Sequence, residues 1–363
     1  MRNQTKADEL LCTDQKSADC RRILITSVSK WLAAALLLFI ASNARSEEKF
    51  YNNRNIQVVV GYPPGGGFDN YARLVVRHLG KYVPGSPNVI AVNMPGADTV
   101  RMANYVFNAA PQDGTVLGMP SHALILSEGL WKDDGVKFDS SQLNWIGRIS
   151  PIDLTMVAWH KTGVKNIEDV KSRDLIVAST STKGTVSMVP TALNRMIGTR
   201  FKLVQGYTGS ADQLLAMERA EVEGMGNLAW SEVTSRHPKL ITEKQVSVLY
   251  IIALQRLRNL PEVPTIIELA QNDEDRRVMR LLASTSEIGR SFFTGPHVPK
   301  ERVAVLRRAL HEVFKDDALL EESKKLMLDL DPMHGEDLQS LVAGVMALPK
   351  STFDYARRIV TSD

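Results

Sequence analysis

The chain has 363 residues, 44% of them hydrophobic and 23% charged, with a formal net charge of +3. That length holds two domains with cores of their own, and the composition is ordinary for a soluble globular protein. A near-balanced charge, with no Lys/Arg block and no basic stripe interleaved with aromatics, sets nucleic acid aside as a partner.

At the start, Arg21, Arg22 and Lys30 precede the apolar run Trp31 to Ala41, and Ser42-Asn43-Ala44 offers small residues for cleavage. This is the layout of an export signal. The run is shorter than the about 20 apolar residues that a spanning helix needs. A signal over 1–44, cut near Ala44, is therefore expected rather than a membrane anchor; Ala44-Arg45-Ser46 is an alternative cut. The Arg21-Arg22 pair leaves twin-arginine export open. Both cysteines, Cys12 and Cys20, precede the apolar run, so the exported chain would have no disulfide and would depend on its core.

The next stretch, Val58-Val59-Val60-Gly61-Tyr62-Pro63-Pro64-Gly65-Gly66-Gly67-Phe68-Asp69, reads as strand, loop and helix start. β-Branched residues make the strand, and two prolines stop it. Three glycines let a ligand approach bare backbone, with Asp69 as cap of a helix from Asn70 to Tyr82. Exposed N–H groups at such a helix start attract anions. A strand at 88–92, a loop at 93–97, a helix from Asp98 to Asn108 and a strand at 115–119 complete a β-α-β-α-β unit, which implies a parallel sheet. Residues 145–159 read as strand-rich. Strands at 175–178, 201–204, 222–227 and 245–253, with helices up to Ile197 and over 211–219, make a second α/β set. Asn166 and Ser210 are expected as helix caps. After Pro264 the pattern is mostly helical. Two α/β halves with polar loops at strand ends suggest a cleft between lobes.

Four segments carry a resemblance to the periplasmic solute-binding receptors of tripartite tricarboxylate transporters: Pro63 to Asp69, Asn93-Met94-Pro95-Gly96-Ala97, Pro111-Gln112-Asp113-Gly114-Thr115-Val116-Leu117, and Leu260-Pro261-Glu262-Val263-Pro264-Thr265 with Glu268. Tyr207-Thr208-Gly209-Ser210 is a weaker fifth, and the set runs in order over about Ile56 to Gly335. The resemblance implies an α/β, two-lobed type II periplasmic binding fold with a ligand cleft between lobes. The first lobe would hold 45–155 and return for 286–363; the second would be 156–285. It further implies a monomeric receptor without cofactor or catalysis. Such a receptor closes on a small carboxylate in the periplasm and hands it to a two-subunit membrane permease. A sensing partner of a membrane signalling protein, or an exported enzyme acting on an anionic substrate, are the alternatives. For the enzyme, no acid, base or nucleophile constellation can be assembled.

The chain departs from the family at Phe68, where a small residue or Thr is usual, and at Asp98 and Thr99, where glycines usually follow. Asp98 reads first as a helix cap; facing the cleft, it would repel a carboxylate or attract an amine. The second lobe's loop is Ser179-Thr180-Ser181-Thr182-Lys183-Gly184-Thr185. There Lys183 is either an exposed charge or a carboxylate partner, and the hydroxyls either cap a helix or donate to a ligand. The ligand-binding residues expected on these grounds are Tyr62, Pro64, Gly66, Gly67, Phe68, Asp69, Gly96, Ala97, Asp98, Ser121, Thr180, Ser181, Lys183, Gly184, Thr185, Tyr207, Gly209 and Asn227. Tyr207 has core packing as its other reading. The histidines, His122 among them, form no metal or triad pattern and read as surface or cap residues.

Overall fold

A computed structural model describes residues 50–131, 135–207 and 209–361. The expected export signal lies outside them. The chain divides into two compact units. One is Met1–Asn53 with Pro84–Ser86, in which the Phe50 and Tyr51 rings meet edge to face at 4.9 Å. The other, Arg54–Val83 with Pro87–Asp363, contains both sheets and every site discussed below.

The first sheet has six strands. In chain order they are β1 (Asn55–Val60), β2 (Asn88–Asn93), β3 (Val116–Met119), β4 (Asn144–Ser150), β10 (Arg290–Thr294) and β11 (Met333–His334), arranged β11-β4-β10-β3-β1-β2. β1 pairs in parallel with β2 and β3, as the β-α-β-α-β reading requires, while β4, β10 and β11 pair antiparallel. The second sheet comprises β5 (Leu154–Trp159), β6 (Leu175–Ala178), β7 (Phe201–Val204), β8 (Gly224–Ala229) and β9 (Val246–Ile252), in the order β7-β6-β8-β5-β9. The chain passes from first to second sheet through Pro151-Ile152-Asp153 and returns at Gly289.

The helices are α1 (Gly67–Leu79), α2 (Val100–Asn108), α3 (Leu124–Trp131), α4 (Thr185–Ile197), α5 (Ser210–Glu218), α6 (Trp230–Arg236), α7 (Asp273–Ile288), α8 (Lys300–Val313), α9 (Asp317–Lys325), α10 (Gly335–Met346) and α11 (Lys350–Val360). α1 buries Tyr71, Leu74, Val75 and Leu79, the face its spacing predicts. The mostly helical reading after Pro264 is corrected at Arg290–Thr294. That segment is fully buried, so it shows no in-out alternation, and it pairs with β4, far away in sequence. Val59, Met102 and Leu124 from the first half share one apolar cluster with Val177, Met188 and Leu193 from the second. α11 lies against α3, α4 and α7 and so joins elements of both halves.

Parallel strands carry their loops at their carboxyl ends, where open α/β sheets bind ligands. Here the loops after β1, β2 and β3 meet those after β6, β7 and β8 around one cleft of about 710 Å³.

Candidate functional site

Three helices begin at this cleft. α1 starts after Gly66, α4 after Gly184 and α5 after Gly209, and at none of these N-caps does a side chain bond the helix end. All three glycines line the cleft. A helix start leaves backbone N–H groups without intrahelical partners and carries a partial positive charge. Serine, threonine, aspartate or asparagine would ordinarily cover those donors; glycine leaves them open to a ligand.

Of the expected residues, the cleft brings together Tyr62, Pro64, Gly66, Gly67, Phe68, Asp98, Ser121, Thr180, Ser181, Gly184, Thr185, Gly209 and Asn227. Five are placed elsewhere. Asp69 is 1% exposed and turned inward. Its Oδ2 accepts from the Gly65 N–H and Arg73 Nε, both at 2.8 Å, and its Oδ1 from Asn93 Nδ2 at 2.8 Å. Burial opposes its ionisation, but these donors outweigh it and hold the carboxyl below the usual range. Asp69 thus pins the glycine loop and does not touch the cleft. Gly96 and Ala97 are exposed beside the cleft and do not line it. Lys183 is exposed, with Nζ 5.3 Å from the centre of the Trp131 ring. Tyr207 packs on the apolar cluster of Val157, Leu214, Met217 and Met225, its core reading.

Three cap assignments are corrected as well. Asp69, expected to cap a helix from Asn70, is the third residue of α1, whose N-cap is Gly66. Ser210 lies inside α5, and its hydroxyl donates to Glu232 at 3.2 Å. Asp98 does not cap α2, whose N-cap is Thr99, with no side-chain bond to the helix. The reason is backbone geometry. Ala97, Asp98 and Thr99 all have positive φ, at 49°, 45° and 72°. This left-handed turn places Asp98 in the lining of the cleft, beside the hydroxyls of Tyr62 and Ser121. Burial pushes that carboxyl up, and the two hydroxyls pull it part of the way back. The Tyr62 hydroxyl is likewise raised, by burial first and then by Asp98.

The cleft also holds residues that the sequence did not mark. The largest omission is Arg290, the first residue of β10 and 8% exposed. Its NH1 donates to Ser150 Oγ at 3.0 Å and to the Pro151 carbonyl at 3.1 Å, so it sits where the chain crosses between sheets. Its guanidinium lies 4.3 Å from the Tyr71 ring centre and 5.9 Å from that of Phe68. Arg290 Nε is buried with no hydrogen-bond partner among the described residues. Burial lowers its pKa, but a guanidinium stays charged. Glu232 and Arg236 of α6 add one charge of each sign to the lining.

His122 is not the surface or cap residue expected. It lines the cleft, with Nε2 3.2 Å from Thr185 Oγ1, and its ring is stacked in the row Tyr62, Phe68, His122. Burial, then the nearby Arg290, pushes its pKa down to about 4, so the ring is neutral at pH 7. Phe68 stacks on Tyr62 at 4.4 Å and 27° and gives this wall an aromatic surface. The site therefore offers backbone donors, one buried guanidinium, an aromatic wall and an isolated carboxylate.

No protein-family model matches the chain. Protein BugT of Bordetella pertussis is 26% identical over 247 residues, which are 66% of this chain and 73% of BugT. Among solved structures, a TctC solute-binding protein from Polaromonas superposes with a TM-score of 0.61 at 19% identity, over 84% of this chain and 99% of that one. MatC from Rhodopseudomonas palustris, solved with bound malate, gives 0.60 at 19% identity, over 85% and 99%. The chain thus has the two-lobed periplasmic binding protein fold that its loop motifs imply, with the cleft between lobes.

Proposed function

We propose that this protein is a periplasmic receptor that captures a small organic carboxylate and delivers it to a two-subunit membrane permease. The observation that carries this reading is the convergence of three glycine-capped helix starts, from both halves of the fold, on a cleft floored by Arg290. A carboxylate takes up donors of this kind at little reorganisation cost, because the helices already hold them in place. The malate bound to MatC shows that a relative in fold holds an anion of this class.

In this reading the first lobe comprises 45–155 and 286–363, and the second 156–285. The crossings at 151–153 and 289, a few residues from those boundaries, serve as the hinge, and closure about them buries the ligand. The expected ligand contacts are the cleft-lining residues named above, joined by Arg290 and His122. Export to the periplasm and action as a monomer belong to the same proposal.

The test is isothermal titration of the exported chain with mono-, di- and tricarboxylates and amino acids, in wild type and Arg290→Gln. Binding of at least one acid is expected, weakened about tenfold to a hundredfold in the variant, the span that about 1.5–3 kcal/mol for a charged hydrogen bond gives. Absence of binding across the whole panel would overturn the reading.

A further inference from the structure

We propose that the ligand of this cleft carries a protonated amine beside its carboxylate, and that Asp98 is the residue that selects it. This rests on the receptor reading and narrows its ligand class.

Asp98 lines the same cleft as the glycine-capped helix starts, and it is held there by a left-handed turn. The turn is fixed from behind. Thr99 Oγ1 accepts from the Ser121 N–H at 3.0 Å, and the Thr99 methyl fills the space at Gly61, where a Cβ would lie 2.5 Å away. The carboxylate therefore has a set position in the cleft.

Its partners come next. Burial raises its pKa, and the Tyr62 and Ser121 hydroxyls beside it pull it part of the way back toward the ionised form. An ionised carboxylate has about four acceptor sites, so two hydroxyls leave it room for further donors. No cation pairs with it among the described residues. Arg290 is engaged instead with Ser150 Oγ, the Pro151 carbonyl and the Tyr71 ring. The cleft thus holds the Arg290 guanidinium and the Asp98 carboxylate with no ion pair between them among the described residues.

The unpaired Asp98 carboxylate sets the ligand chemistry. A half-buried charge without a counterion is unfavourable, and a ligand that brings an ammonium supplies the counterion. A dicarboxylate reaching from the helix starts to Asp98 brings like charge instead and is disfavoured. The stacked Tyr62 and Phe68 rings beside the site limit water and strengthen whichever charge pairing forms.

Matched pairs that differ only at the amine position provide the experiment: glutamate against glutarate, aspartate against succinate, and 4-aminobutyrate against butyrate. Each is titrated calorimetrically into wild type and Asp98→Asn; asparagine tolerates the left-handed conformation. Should Asp98→Asn not fold, as judged by its melting curve, Asp98→Gly suits the same φ and takes its place. At least one amino member is expected to bind tenfold or more tightly than its partner in wild type, with the preference erased in the variant. Glutarate or succinate binding as tightly as the amino member would overturn the proposal and leave the carboxylate receptor standing. An amine preference that survives in the variant would overturn the assignment to Asp98. Binding by none of the six probes would overturn the proposal, and if the wider acid panel also fails, the receptor reading falls with it.

Discussion

The Ser121 backbone N–H donates to Thr99 Oγ1 at 3.0 Å, tying the loop after β3 to the turn after β2. That bond holds three consecutive non-glycine residues in left-handed conformation, which costs an L-residue roughly 1–2 kcal/mol. Ala97 has no side chain able to compensate, and it is exposed outside the cleft. Ala97→Gly is therefore expected to raise stability by about 0.5–1 kcal/mol, the relief being partly offset by glycine's larger entropy in the unfolded chain. Ligand affinity should stay within about twofold, since Ala97 contributes only its backbone. Urea denaturation and calorimetry check both. A destabilised Ala97→Gly would show that the turn carries no strain at this position.

The crossing between the sheets contains a carboxyl that ionises against resistance. Asp153 is pushed up to about 6 by burial first and then by Glu287, with Arg148 opposing and Asp331 adding to the rise. Arg148 is already engaged, with Glu287 at 2.7 Å and Asp331 at 3.4 Å. Because the folded value lies above the unfolded one, the folded state holds the proton more tightly. The contribution to stability is full below about pH 4 and is lost as pH rises through about 6. Asp153→Asn carries no such loss. The variant is expected to match wild type near pH 4 and to exceed it by roughly 1–3 kcal/mol at pH 7–8. Denaturation curves at the two pH values decide this, and a variant less stable at pH 8 would contradict the assigned sign.

The legible parts of the site were those with a local signature. Gly66, Gly184 and Gly209 each precede a helical pattern, and backbone conformation there depends on neighbours in sequence. Asp98 was ambiguous for a chemical reason: aspartate is both a good cap and tolerant of left-handed φ, so residue type alone could not choose between them. Arg290 was hidden because its place in the cleft comes from pairing with β4, a contact 140 residues distant in chain order. Gly289, followed by the strand-forming Phe292-Phe293, was the one local hint of a break after α7. His122 was hidden in the same way, since its partner Thr185 comes from the other half of the fold.

Gly184 is where the requirements of stability and of binding diverge most clearly. Its φ is −83° and ψ is 152°, ordinary extended geometry for an N-cap, so glycine is not needed for the backbone. A Cβ there would meet Val186 Cγ2 at 3.5 Å and Ser181 Oγ at 3.6 Å, normal contacts. Gly184→Asp should therefore fold and cap α4. An N-cap aspartate exceeds glycine by only a few tenths of a kcal/mol, so stability should rise slightly or hold. The same carboxylate would occupy the first-turn donors and place a negative charge in the cleft, where an anion is meant to bind. Carboxylate affinity is expected to fall at least a hundredfold while the melting temperature does not decrease. Gly184→Ser, which caps without charge, should fall between the two. If Gly184→Asp binds acids as wild type does, the α4 start plays no part in holding the ligand, and the anion must rest on α1, α5 and Arg290 alone.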